Sequence, residues 1–268
     1  MKKYLVVGNP IEHSLSPKLH NYWFKKYRIE NSIYEKRKIE QKDLLEILEK
    51  IKKGEIEGAN VTLPFKKSIL PLLDRLEAPA AETQSVNTIF RENGQVIGTN
   101  TDWKGFNQTI KKTLLIKEKK MVDKNIFILG AGGVTSSIIY ALKKIGGKIF
   151  VSNRIQKKAE ELKNLFPDIN IIKWGEKPPK CEIVVNTTSV GLNASDELNL
   201  DFSDYKDNEL FFDLIYNPKE TNFLKEARLR GNKTINGQLM FLYQAAFAFK
   251  YWTKIMPEID NEVIELLE

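Results

Sequence analysis

The first apolar positions form a short run, Tyr4-Leu5-Val6-Val7, that stops at Gly8-Asn9-Pro10. An apolar run of that length closed by turn residues predicts a buried strand over 3–8. Residues 9–15 read as a polar loop, and Ser16-Pro17 then predicts a helix with Ser16 as N-cap and Pro17 in its first turn. Leu19, Trp23 and Phe24 share one face of that helix. A second strand is expected over 32–39 and an amphipathic helix over 43–52, with Leu44, Leu45, Ile47, Leu48 and Ile51 inward. Residues 56–61 read as a third strand closed by Leu63-Pro64, and 85–91 with 95–98 as a hairpin around Asn93-Gly94.

Beyond Thr101-Asp102 the pattern predicts a long helix to about Lys117, then a basic loop. A buried strand over 125–129 ends at Gly130, and a helix opens in the glycine loop, with Ile138, Leu142 and Ile145 inward and Gly146 as C-cap. Strands at 148–152, 169–172, 183–185 and 210–213, a helix over 155–166 and continuous helix from Gln238 complete the chain. Alternating strands and helices predict an α/β protein with mainly parallel sheets. Two lobes are expected, 1–101 and 102–236, the second a Rossmann-like doubly wound parallel sheet. Periodicity leaves open which lobe receives the helices of 237–268.

Composition narrows the function classes. A chain of 268 residues, 42% hydrophobic and 29% charged, can bury a core without disulfides. The single cysteine, Cys181, allows no internal disulfide and suits a reducing cytoplasm. That thiol and two distant histidines, His13 and His20, make no metal site. The apolar stretch Leu239 to Phe249 is far short of the roughly 20 residues that span a bilayer. A net charge of +7 raises nucleic acid as a partner, but the lysines alternate with glutamates on helical segments such as 41–53. We therefore expect neither nucleic acid nor membrane as partner; a mild positive field suits a small anionic substrate.

Chemistry concentrates at Gly130-Ala131-Gly132-Gly133-Val134, between a predicted strand and a predicted helix. Gly130 makes the tight turn, Gly132 lets backbone approach a pyrophosphate, and the helix start supplies free N–H groups. The lysine of a nucleotide-triphosphate loop is missing. The third glycine of the fingerprint is replaced by Thr135. An NAD site usually ends its next strand in an acid that bonds the ribose hydroxyls. Here that place holds Asn153-Arg154, with Lys157 and Lys158 one turn on, and a guanidinium there matches the 2′-phosphate of NADP.

Several further segments fall in order along the chain. They are Gly8-Asn9-Pro10-Ile11-Glu12-His13-Ser14-Leu15-Ser16-Pro17, Gly58-Ala59-Asn60-Val61-Thr62-Leu63-Pro64-Phe65-Lys66, Val86-Asn87-Thr88-Ile89 and Asn100-Thr101-Asp102. Asn186-Thr187-Thr188-Ser189-Val190-Gly191 and Asp213-Leu214-Ile215-Tyr216-Asn217-Pro218 follow the glycine loop. Together they resemble the shikimate dehydrogenase family over nearly the whole chain. The resemblance implies a cytoplasmic enzyme, monomer or homodimer, that reduces 3-dehydroshikimate to shikimate with NADPH. It implies that Ser14 and Ser16 hold the substrate carboxylate, that Asn60, Thr62, Asn87 and Gln244 bind ring hydroxyls with Tyr216 nearby, and that Lys66 and Asp102 are the catalytic pair.

For the cofactor it implies the loop Gly130, Ala131, Gly132, Gly133 and Val134, then Asn153, Arg154 and Lys158, then Thr187, Thr188, Ser189 and Ile215. Gly237 and Met240 are implied to line the nicotinamide pocket. The resemblance also implies that the last helices return to the first lobe. Leu239 replaces a frequent glycine of the family and Ile155 a frequent threonine. Elementary chemistry suits these roles. Amides and hydroxyls both donate and accept toward a polyhydroxylated ring, and an ammonium opposes the negative charge that hydride attack builds on a ketone oxygen. Lys66 either hands over the proton or acts as an electrostatic and positioning group. Rival readings are an NAD-using quinate/shikimate dehydrogenase and a noncatalytic NADP-binding protein.

Overall fold

A computed structural model describes residues 1–114, 123–193, 195–198, 200–206 and 208–267. The elements run β1 (Lys2–Gly8), α1 (Ser16–Lys26), β2 (Ser32–Lys38), α2 (Leu44–Lys53), β3 (Gly58–Val61), β4 (Arg75–Leu76), α3 (Ala78–Thr83), β5 (Thr88–Glu92), β6 (Gln95–Thr99) and α4 (Asp102–Leu114). They continue as β7 (Asn125–Leu129), α5 (Thr135–Lys144), β8 (Lys148–Ser152), α6 (Gln156–Leu165), β9 (Asn170–Ile171), β10 (Ile183–Asn186) and β11 (Leu210–Asp213). Last come α7 (Asn222–Leu229), β12 (Lys233–Ile235), α8 (Gln238–Thr253) and α9 (Asn261–Leu266). The expected extension of α4 to Lys117, and most of the basic loop after it, lie outside the described residues.

Two compact units result, one of Met1–Gly105 with Leu242–Glu268, the other of Phe106–Phe241. The first holds a sheet of order β2-β1-β3-β5-β6-β4. β1 pairs in parallel with β2 and β3, whereas β3, β5 and β6 pair antiparallel. The antiparallel turn is the Asn93-Gly94 hairpin, with positive φ at both residues (51° and 77°), as a type I′ turn requires. Leu5, Val7, Ala59, Val61 and Ile89 form a core with Leu44, Ile47, Leu48 and Ile51 of α2.

The sequence expectations need three corrections here. Leu45 is 56% exposed, because an inward stripe of 44, 47, 48 and 51 leaves it on the solvent side. The N-cap of α1 is Leu15, so Ser16 is already helical, and the Ser14 hydroxyl accepts the Ser16 N–H at 3.4 Å. The C-terminal helix is broken: α8 stops before Lys254, which takes φ 66°, and α9 restarts under an Asp260 cap.

The second unit has sheet order β12-β11-β10-β7-β8-β9 with every pair parallel. Successive strands run outward from β7 in one direction and from β10 in the other. The crevice beyond the carboxyl ends of β7 and β10 is therefore the topological switch point, where such sheets bind ligands. The glycine loop leaves β7 there, and Thr187 leaves β10.

Gly237 follows β12, donates its N–H to the Ile215 carbonyl at 3.0 Å, and presses on the Leu214 backbone. A Cβ at this position would lie 1.9 Å from the Leu214 carbonyl oxygen. Gly237→Ala is therefore expected to destabilise the protein by about 1–3 kcal/mol, read as a lower melting temperature. An unchanged melting temperature would mean that the Leu214 backbone yields without strain.

Candidate active site

Lys66 follows a tight turn in which Phe65 N–H donates to the Thr62 carbonyl at 2.9 Å. The Lys66 carbonyl accepts the Val86 N–H at 2.9 Å, which ties the turn to the approach of β5. Asp102 opens α4, its N–H held by the Asn100 side-chain oxygen at 3.0 Å. The Lys66 ammonium and the Asp102 carboxylate meet at 2.6 Å, with side chains only 16% and 7% exposed. Removing two charges from water is expensive, and such a pair persists only with good geometry and further hydrogen bonds.

Asn87 supplies one of those bonds, donating from Nδ2 to the other Asp102 oxygen at 2.8 Å. Its orientation is forced: Oδ1 accepts the Thr101 backbone N–H at 2.8 Å, so Nδ2 must face the carboxylate. The Gln244 Oε1 lies 3.4 Å from the same Nδ2.

Asn60 on β3 continues this network. Its Nδ2 donates to the Asn87 carbonyl at 2.9 Å and the Thr88 hydroxyl at 3.1 Å, and its Oδ1 accepts the Tyr34 hydroxyl at 2.6 Å. Both amide hydrogens are committed, so Asn60 can offer a ligand only an acceptor lone pair. Hydrogen bonds thus run without a break from Tyr34 through Asn60, Asn87 and Asp102 to Lys66. Ser14 and Ser16 sit at the start of α1, and half-buried Thr62 closes β3. A Cβ on Gly8 would lie 2.5 Å from the Thr62 methyl, so glycine makes room for that threonine. Tyr216 belongs to the second unit and stacks on Phe241 at 5.0 Å, and burial raises its phenol pKa.

In the second unit, Gly130 takes φ 107°, and a Cβ there would fall 2.6 Å from the Thr187 hydroxyl. A Cβ on Gly132 would meet nothing within 4 Å, which leaves the space beside its Cα open to a ligand. Ala131 is buried, and Gly133 and Val134 are half-buried. Beyond β8, Arg154, Lys157 and Lys158 are exposed, and among the described residues none of them is ion-paired. Asn153 turns its Nδ2 to the Ile155 carbonyl at 2.8 Å. An open glycine cradle and unneutralised cations after the next strand fit a dinucleotide bearing an extra phosphate.

Two residues without an assigned role hold the loops beyond β10 and β11. The Asn186 Oδ1 accepts the Thr188 N–H at 3.0 Å, and its Nδ2 donates to the Val190 carbonyl and the Asp213 carboxyl, both at 3.1 Å. Asp213 also accepts the Thr221 hydroxyl at 2.6 Å and the Ile215 N–H at 3.0 Å. Burial pushes the Asp213 carboxyl up to about 6 against those donors. Ser189 is exposed in the first loop, while Ile215 and Met240 are buried. The signal for Asn186 and Asp213 was a polar residue ending each of two otherwise apolar strands.

Comparison with known proteins decides the family. The shikimate dehydrogenase substrate-binding domain matches residues 6–89. A shikimate dehydrogenase (NADP+) of Pelagibacter ubique is 51% identical over 268 residues, covering 100% of this chain and 99% of that protein. The chain belongs to the shikimate dehydrogenase family. A crystal structure of the shikimate dehydrogenase of Aquifex aeolicus superposes with a TM-score of 0.86 at 37% identity, covering 99% of this chain and 96% of that one. The Thermus thermophilus shikimate 5-dehydrogenase, solved with NADP(H) and shikimate, gives 0.86 at 31% identity, with 96% and 95% covered.

As a shikimate dehydrogenase, the chain departs from the fingerprint at Thr135, and the structure shows what the side chain does. Thr135 is fully buried, accepts the Gly132 N–H at 3.0 Å and pairs with the Thr187 hydroxyl at 2.8 Å. Thr187 in turn donates to the Leu129 carbonyl at 2.7 Å. Hydroxyls thus stitch the helix start to the strand ends where a third glycine would permit bare contact. Ile155 precedes α6 and is 50% exposed, and Leu239 is half-buried in the first turn of α8.

Proposed function

We propose that this chain catalyses the reversible NADPH-dependent reduction of 3-dehydroshikimate to shikimate. The observation that carries the reading is the largely buried Lys66–Asp102 pair, held by Asn87 inside a field of amides and hydroxyls. NADPH supplies the hydride when bound. Lys66 opposes the negative charge that develops on the ketone oxygen, either as proton donor or as a fixed cation. Asp102 holds the ammonium in place. Asn60 offers a lone pair to a ring hydroxyl, with Thr62, Asn87 and Gln244 as the other ring contacts. Ser14 and Ser16 take the carboxylate at the start of α1, where free N–H groups favour an anion.

The first unit is then the substrate and catalytic unit, and the second binds NADP through Gly130 to Val134, Asn153, Arg154, Lys158, Thr187 to Ser189, Ile215, Gly237 and Met240. We place the enzyme in the cytoplasm, as monomer or homodimer, with small molecules as its ligands. Among the described residues no helix is long and apolar enough to cross a membrane.

The test is the rate of NADP reduction with shikimate, with quinate and NAD as controls. Turnover confined to shikimate and NADP supports the proposal; comparable rates with quinate or NAD would replace it by a broader quinate/shikimate activity. Arg154→Ala should raise KM for NADPH more than tenfold and leave KM for NADH nearly unchanged, since a charged phosphate contact is lost in one case only. Equal changes for both cofactors would remove the 2′-phosphate role.

A further inference from the structure

Tyr34 lies outside the short motifs by which the sequence resembles the family, though within the matched residues 6–89, and it anchors the buried end of the hydrogen-bonded line to Lys66. It sits on β2, 1% exposed. Its ring stacks on His20 at 4.3 Å and 10°, and Trp252 flanks it at 5.9 Å. The Asn21 amide clasps its backbone on both sides, accepting the N–H at 2.8 Å and donating to the carbonyl at 2.9 Å. The phenol therefore has one position, and its hydroxyl meets the Asn60 oxygen at 2.6 Å.

Burial raises the phenol pKa well above its usual value, with the Ser16 hydroxyl pulling slightly the other way. The group thus stays a donor at neutral pH. Among the described residues His20 beneath it has no hydrogen-bond partner for either ring nitrogen, and burial lowers the imidazole to about 3. The imidazole in the stack is therefore neutral at neutral pH.

A tyrosine that only filled the core would need its ring and some acceptor for its hydroxyl. This one uses an acceptor that the proposed substrate site also needs. We propose that Tyr34 is a positioning residue for substrate binding, acting through Asn60: its hydroxyl fixes the Asn60 amide so that the remaining lone pair of Oδ1 faces a ring hydroxyl of shikimate. This rests on the reading of Asn60 as a substrate contact.

Tyr34→Phe removes one oxygen and keeps the ring. The experiment is calorimetric binding of shikimate and of NADP to the whole enzyme, with steady-state kinetics, for Tyr34→Phe, Asn60→Ala and the double variant. Tyr34→Phe should weaken shikimate binding about tenfold, the scale of one hydrogen bond. KM for shikimate should rise in parallel, with kcat within about threefold and the NADP Kd unchanged. The double variant should bind shikimate no worse than Asn60→Ala alone if Tyr34 acts through Asn60, whereas action through the Ser16 hydroxyl, which also bears on the phenol, would show as an additive loss. Additive losses, or a shikimate Kd untouched by Tyr34→Phe while Asn60→Ala weakens it, would overturn the role of Tyr34. So would an equal loss of NADP affinity, which would mark a general loosening. If Asn60→Ala itself leaves shikimate binding unchanged, the reading of Asn60 as a substrate contact fails, and with it this role for Tyr34.

Discussion

Replacing Lys66 by alanine is expected to lower kcat for shikimate oxidation about a thousandfold. The side chain is 16% exposed and its ammonium sits 2.6 Å from Asp102, so the charge is fixed before substrate arrives. A fixed charge in a water-poor site opposes a developing oxyanion far better than a mobile solvated one. The variant keeps the carboxylate pocket and the nucleotide loop, so the NADP Kd should not move and KM for shikimate should change little. Steady-state rates with calorimetric NADP binding check this. A kcat within tenfold of the parent would show that Lys66 is not part of the reacting centre. The pH profile of kcat in Lys66→Arg separates the two roles left open. Arginine keeps the cation but cannot release a proton near neutrality, so substantial activity there favours electrostatic action over proton transfer.

Asp102→Asn has an expected effect of the same size, and it works through a conflict of donors. Two groups point N–H bonds at this side chain, Lys66 at one oxygen and Asn87 at the other. An amide offers one oxygen and one NH2 group, so one of those donors must face another donor. Asn87 cannot turn to relieve this, because the Thr101 N–H holds its oxygen. We expect kcat/KM to fall about a thousandfold, and stability to drop by about 2 kcal/mol for a buried donor left unsatisfied. Urea denaturation and steady-state kinetics on one preparation read both effects. Loss of activity at full stability would place the role of Asp102 in the chemistry alone. Full activity would mean that Lys66 needs no carboxylate to orient it.

The second unit was the more legible half of the fold. Strands 125–129, 148–152 and 210–213 were read with the observed boundaries, because buried parallel strands are short unbroken apolar runs. Elements built on few apolar residues left no periodic trace: β4 and β12 at two and three residues, α3 at six. α7 escaped too, although Thr221 caps it by accepting the Leu224 N–H. The break between α8 and α9 was hidden by apolar residues on both sides of Pro257.

The site divided along similar lines. The family resemblance pointed to Lys66 and Asp102, and the residue type after β8 to Arg154. The network around that pair did not show, because the contacts that orient Asn60 and Asn87 join residues many positions apart, 26 between Tyr34 and Asn60 and 157 between Asn87 and Gln244. Tyr34 was silent for that reason: along the chain it is one aromatic residue on a strand.

The order of segments in the first unit bears on how the protein is made. Its core needs Phe249 and Ala245, both fully buried, and the Trp252 indole on the Ile89 carbonyl. These residues emerge from the ribosome only after all of Phe106–Phe241, a continuous stretch that can fold as it appears. The nascent N-terminal sheet must therefore wait, with part of its apolar face uncovered, while the nucleotide-binding half is synthesised. During that interval its uncovered apolar face is the part of the nascent chain most exposed to aggregation.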